Sequence, residues 1–370
     1  GLEPDRTARE RVLAAALARG AEPPRRRPHL PRPPALGLGL GAAATIVALL
    51  AAALQAPARI DALVRPAAPS SHAPGAPAAV SGRDVLLAAA QRSEGAPATG
   101  RYWHVSTRSG TVLRAGQGAG PYLVELRSEG DLWIAAAPAD PSKRLGRPLG
   151  AAPLAPADEA AWRRAGSPEQ VLVTIPGRNG GKAVPFDTRP GLTAAKPITL
   201  DDATAVLDLG GRQLSASALR QLPDTVPALR AYLLQIYAAS DQAQAADDVP
   251  ASRDEWVFQI ASELLAAPVA PAVRSAAFGM MADVAGVHAL GQVKDPQGRA
   301  GAGVGMAQHM GQTGTWERQL IFDQSTGLLL ADQEIVLQPG PANPWNAPGT
   351  RISYQTILSA GWTNDTPPAG

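Results

Sequence analysis

The chain has no cysteine. That excludes a disulfide framework, a Cys-ligated zinc site, a thiol nucleophile and a lipid-bearing cysteine, and it leaves the compartment open. Aromatic residues make up only 4% of a chain that is 45% hydrophobic, so Leu, Val, Ala and Ile must build the core. Lysine is scarce: 30 of the 34 basic residues are arginine. Beside so much Ala, Gly and Pro, this reads as the codon usage of a GC-rich genome. Direct nucleic-acid binding is not expected, because no basic folded face with a matching motif accompanies the arginines.

Recognisable catalytic motifs are missing too. The sequence holds no HExxH, G-x-S-x-G, Walker A or EF-hand pattern. The run GRAGAGVGMA at 298–307 lacks the strand–turn–helix context and the Lys-Ser/Thr ending of a phosphate loop. Its glycines fit a tight hairpin or a close backbone approach better. His29, His72, His104, His288 and His309 are scattered, and only a spatial meeting of His288 and His309 with an acid such as Asp295 would make a site of them. The expectation is a protein that is not an enzyme and has no metal and no cofactor.

At 370 residues there is room for two domains or for one large domain with appendages. Charge is unevenly spread. Residues 1–34 hold eight arginines against Glu3, Asp5, Glu10 and Glu22, whereas the rest is nearly balanced. Ala35–Leu54 is free of charge and long enough, at about 1.5 Å per residue, to cross a bilayer as a helix. Arg25, Arg26, Arg27 and Arg32 precede it as topogenic charges, which places the N-terminus in the cytoplasm and the C-terminal part outside. A cleaved signal peptide or a buried soluble helix are the rival readings. Gly37 and Gly41 give a GxxxG spacing suited to a homodimer.

Four segments follow: a basic cytoplasmic head at 1–34, a transmembrane helix at 35–54, a Pro/Ala-rich linker at 55–80 and an extracytoplasmic domain at 81–370. In the head, Thr7 and Glu10 form a capping box, and Val12, Leu13, Ala16 and Leu17 make a narrow apolar stripe. That helix is solvated, lies on the membrane surface, or docks a cytoplasmic partner.

In the outer domain, Ser81 and Asp84 open a helix over 82–93. RYWHVSTRS, PYLVELRS and DLWIAAAP read as strands, 138–157 as a Pro-rich loop, DEAAWRRA as a short helix and EQVLVTIPG as a strand. VLDLGGRQL is a hairpin. Val226, Leu229, Leu233, Ile236 and Tyr237 line one helix face, a Ser252–Glu255 box starts another helix, and Pro271 starts a third. Five strands end the chain. In the last, Ile352, Tyr354, Thr356 and Leu358 form the buried side against Ser353 and Gln355. Trp103 and Trp133 fill the core or line a groove. This is an α+β order: an antiparallel sheet with helices on one face.

The segments LPDTVPALRAYLL, VRSAAFGMMADVAGV, LGQVKDPQGRAG and LIFDQSTGLLL occur in that order, with the head EPDRTARERVLAAALA and the stretch DEAAWRRAGSP. Together they resemble an actinobacterial family of single-pass membrane proteins often encoded beside extracytoplasmic-function sigma factors. The resemblance implies an anti-sigma-like or envelope-sensing role, with a sigma factor or other cytoplasmic protein as partner. The zinc-binding His/Cys motif of anti-sigma domains is missing here. By analogy of element order, the sheet is similar to the half-barrel of lipoprotein carriers. Two functions from different classes follow, a regulatory or sensory protein recognising an envelope component and a lipid or lipoprotein binding module. An extracytoplasmic enzyme is the third.

Overall fold

The last strand of the chain joins two halves of one sheet. The computed structural model describes residues 80–95, 99–116, 120–174, 183–191, 197–200, 206–210, 212–241 and 252–368, all within one unit. Strand β1 spans Tyr102–Ala115, β2 Tyr122–Ala135 and β3 Ser142–Pro153. Short strands follow: β4 Gln170–Thr174, β5 Ala183–Asp187, β6 Ile198–Leu200, β7 Leu207–Leu209 and β8 Arg212–Leu214. The C-terminal meander is β9 His288–Lys294, β10 Ala300–His309, β11 Gly314–Phe322, β12 Leu329–Pro339 and β13 Arg351–Thr363. Eleven strands make one sheet, ordered β6-β3-β2-β1-β13-β12-β11-β10-β9, with β4 and β5 branching from β1, while β7 and β8 form a separate hairpin. The β13 strand lies between β1 and β12, antiparallel to both.

Among the described residues helices are few: α1 Gly82–Ser93, α2 Pro156–Arg164, the single turn α3 Ala216–Leu219, α4 Val226–Asp241, α5 Arg253–Glu263 and α6 Pro271–Ala282. Their starts follow local chemistry. Ser81 and Asp84 complete a capping box on α1. Ser252 caps α5 by accepting from the Glu255 amide. The Glu255 carboxylate does not return to the cap, because His309 takes it. Pro271 occupies the first turn of α6, where its missing N–H costs nothing.

The main core lies between the sheet and α1, α4, α5 and α6. Leu86, Leu229, Leu233, Phe258, Phe278 and Met280 meet Trp103, Val105, Ile134, Val304, Leu320 and Phe322 there. Phe278 and Phe322 pack with ring centroids 5.5 Å apart. A smaller cluster under α2, β4 and β5 includes Leu113, Val124, Ala161 and Val173.

The membrane reading is corrected here. Among the described residues no helix is long and apolar enough to cross a membrane. The longest, α4, has 16 residues, about 24 Å at 1.5 Å per residue. The single-pass fold class, the transmembrane assignment and the cell-membrane localisation are therefore withdrawn. The described architecture is a mostly antiparallel sheet with few helices, in place of an anchored α+β protein. The expected span at 35–54, the arginines at 25–27 and 32, Gly37, Gly41, the stripe Val12, Leu13, Ala16 and Leu17, and the linker up to residue 79 lie outside the described residues.

Three local expectations also change. PYLVELRS and DLWIAAAP are one strand, since β2 pairs with β1 in unbroken register and Thr107 Oγ1 donates to Gly130 O across the supposed break. The expected loop at 138–157 contains β3. Its Pro148 sits at a register shift and beyond the short pairing with β6, where no amide is needed. In β13, the pairing skips Leu358: Ser359 opposes Ser106 and Ile357 opposes Thr107. This bulge turns Leu358 outward, 38% exposed, and puts Ile357, Ala360 and Trp362 against the helices.

The bulge makes a direct prediction. Ile357→Ala should cost about 2–5 kcal/mol in urea unfolding, whereas Leu358→Ala should stay within about 1 kcal/mol. The reverse order would mean that the strand runs without a bulge.

Candidate functional site

Strand alternation gives each residue of β1 a face. Trp103 and Val105 point to the helices, so Arg108, Gly110 and Val112 point away. Register carries that face across the sheet. Gly110 opposes Tyr354 on β13 and Arg127 on β2, Arg108 opposes Thr356 and Glu129, Val112 opposes Glu125, and Tyr354 opposes Gln333 on β12. These residues meet only because β13 enters between β1 and β12.

Tyr354 sits at the centre. Its ring lies across Gly110, where any Cβ would collide with it. The Arg351 guanidinium stands 4.9 Å from the ring centroid. Burial pushes the phenol up, and Glu125 nearby adds to this against Arg351, Arg127 and Arg108. Burial likewise raises the Glu125 carboxyl, opposed by Arg351 and Arg127.

The borders are better paired. Arg108 donates to Glu129 from Nε at 3.0 Å, and Arg147 donates to the other oxygen of the same carboxylate. These two arginines hold Glu129 low, Arg147 first. From the β9–β10 turn, Gln297 Oε1 accepts from Arg108 Nη1 at 2.7 Å. At the other end, the Arg114 guanidinium lies 4.5 Å from the centroid of Trp345 in the β12–β13 connection.

Between these borders the polar groups lack protein partners. None of the described ion pairs or hydrogen bonds includes the side chains of Arg127, Arg351 or Glu125. Six buried side-chain atoms among the described residues have no partner, and four belong to this patch: Arg127 Nε, Arg351 Nε, Gln333 Oε1 and Thr356 Oγ1. Thr356 is fully buried and Gln333 is 6% exposed. Gln333 uses its amide nitrogen on Gln319 and leaves its oxygen over. The remaining two atoms, Arg144 Nη2 and Arg318 Nη1, lie elsewhere.

The residues singled out in the sequence do not assemble into this patch. Trp103 and Trp133 take opposite faces. Trp103 donates from Nε1 to Ala266 O at 3.2 Å and meets Trp362 edge-to-face. It also forms one wall of an open cleft with Arg299, Asp323, Leu329 and Ile357. Trp133 stacks on the His104 ring at 3.8 Å. The two share no groove.

Each described histidine has its own acid: His104 with Asp131 at 3.0 Å, His288 with Glu317 at 3.1 Å and His309 with Glu255 at 2.9 Å. Asp295 pairs with Arg299, so His288 and His309 do not converge on it. Asp131 is held low by His104 first and also by Ser106, so the hydroxyl and the imidazole are oriented on that carboxylate, not on each other. Among the described residues no three acids or histidines are grouped to hold a metal. The glycine run is strand β10, and Gly301 and Gly303 are required by close approach to Phe322 O and Val293.

A second charged cluster lies on the helix-bearing side. Arg318 on β11 reaches Asp332 at 2.5 Å and Glu263 of α5 at 3.3 Å. Ser262 donates to Asp332, and Ser353 donates to Glu334 at 2.6 Å. Burial would lower Arg318, but Asp332, Glu263 and Glu334 outweigh it and hold the guanidinium above its usual value. Burial raises Glu334 and pushes Glu263 up to about 7, with Arg318 opposing. This cluster pins α5 to the sheet.

No protein-family model matches the chain, and neither does any curated protein or solved structure. The family resemblance therefore rests on its quoted segments alone.

Glu263 gives a signed pH effect. Its carboxyl binds a proton more tightly folded than unfolded, so its contribution is greatest below about pH 4.5 and is lost as pH rises to about 7. In urea unfolding from about pH 5 to about pH 8, the protein should lose up to roughly 3 kcal/mol relative to Glu263→Gln. Parallel pH profiles for the two proteins would show that Glu263 titrates normally.

Proposed function

We propose that this domain is a recognition module with a regulatory or sensory role, and that it binds its ligand non-covalently on the Tyr354 patch. One observation carries the reading: four buried polar atoms without protein partners lie on one side of three neighbouring strands and the strand beside them. A buried polar group left unpaired costs about 1–3 kcal/mol. Violations of this kind are concentrated at functional or strained sites, and a ligand that supplies the partners would offset the cost. The reading carries no chemical step, since the patch brings together guanidinium, carboxyl, phenol and amide groups suited to holding a ligand. The regulatory half draws its support from the family resemblance, and the binding half from the patch.

The test needs no ligand. Thr356→Val removes a buried hydroxyl that has no partner and keeps the side chain's shape. The variant should be more stable than the parent by about 1 kcal/mol or more in urea unfolding. A loss of stability would show that the hydroxyl is satisfied in the free protein and that the patch is structural.

A further inference from the structure

The cleft beside Trp103 offers no unused polar group at its Arg299, which is occupied by Asp295 and by the carbonyls of Leu330 and Ile357. The Glu263–Arg318 cluster is buried between α5 and the sheet, and its guanidinium is engaged by Asp332 and Glu263. The Tyr354 patch differs from both because its charged groups are unpaired and part-exposed.

We infer that the ligand of this patch carries an oxyanion, a phosphate or chemically similar group, held between Arg127 and Arg351 beside the Tyr354 ring. The inference rests on the binding reading above and names the chemistry bound. Several arginines around the patch are already engaged. Arg108 and Arg147 share Glu129, Arg318 holds Asp332 and Arg299 holds Asp295. On this face of the sheet Arg127 and Arg351 take part in none of the described ion pairs or hydrogen bonds, and each has a buried Nε with no acceptor.

The planar guanidinium fork matches the oxygens of phosphate or carboxylate in pairs. Arg351 is held in place by its stacking on Tyr354, so less side-chain freedom is lost when it binds. Tyr354 is in turn fixed by its seat on Gly110. Glu125 is an opposing charge that acts on both arginines and on Tyr354. It lies outside ion-pair distance, so it weakens an incoming anion without satisfying either fork. This gives Glu125 a sign opposite to its neighbours: removing its charge strengthens binding.

The experiment is calorimetric titration of the full chain with inorganic phosphate, against chloride at matched ionic strength. Phosphate should bind saturably. Arg127→Gln and Arg351→Gln should each weaken it about tenfold or more, and Glu125→Gln should tighten it about tenfold. Thermal unfolding of each variant checks that it is folded. Co-sedimentation with phosphatidylcholine vesicles, with and without phosphatidylglycerol, separates the two sources. Binding to free phosphate alone identifies a soluble ligand, and binding to phosphatidylglycerol vesicles that Arg127→Gln abolishes identifies a lipid headgroup. Either supports the inference. No binding in either arm, or binding that the three variants leave unchanged, overturns it. If Thr356→Val is nonetheless stabilised, the patch remains a binding site but for an uncharged ligand.

Discussion

The placement of β13 governs the rest of the structure. Its pairing with β1 joins the N-terminal strands to the C-terminal meander, and no other described pairing connects the two halves. The join is long: ten β1 residues have partners on β13, from Tyr102–Thr363 to Thr111–Ser353. Only the last thirteen-residue strand completes the sheet, so the core under α1, α4, α5 and α6 closes late in sequence terms. Contacts of such wide separation make folding slow relative to a local meander. The bulge at Leu358 is part of the same device. It lets one strand present Tyr354 and Thr356 to one side and Ile357, Ala360 and Trp362 to the other.

The two sides treat polarity differently. On the helix-bearing side, Arg318 is surrounded by three carboxylates, and Ser262 and Ser353 donate to two of them. One guanidinium cannot balance three full negative charges in a buried setting. Raised proton affinity at Glu263 and Glu334 is the physical answer, since a neutral acid can stay buried where a carboxylate cannot. The opposite side has arginines in excess of engaged acids, and its buried atoms are left without partners. A structural network and an unfilled one thus share the same strands, separated by the thickness of the sheet.

Local elements were readable where local chemistry decides them. Ser81 with Asp84, Ser252 ahead of Glu255 and Pro271 each mark a helix that the structure contains. The five C-terminal strands likewise follow from alternation and turn residues. What escaped was set by tertiary pairing. Pro148 argues against a strand by itself, yet β3 forms because β2 offers a continuous partner and the proline falls at a register shift. The expected alternation of Ile352, Tyr354, Thr356 and Leu358 holds only for Tyr354 and Thr356: the bulge moves Leu358 out, and a second register shift sends Ile352 to the other face, beside Trp316 and Val336. The membrane reading came from a stretch outside the described residues and found no supporting helix among those described.

The Tyr354 patch was illegible for a more basic reason. Arg108 and Gly110 lie 15 to 19 positions from Glu125 and Arg127, and more than two hundred from Arg351, Tyr354 and Thr356. None of these residues belongs to a motif, and their meeting depends on sheet order, which alternation does not specify. One local signal did exist. Gly110 interrupts an otherwise β-rich run, and a strand-interior glycine marks a close approach by some other group. The sequence cannot say that the group is Tyr354. Once the strand order is known, that glycine is the reason the ring can lie over β1, with Arg351 against its face and with Arg127 and Glu125 near enough to act on its phenol. A side chain at position 110 would collide with the ring and displace it. The smallest residue in the patch is therefore the one on which its geometry depends.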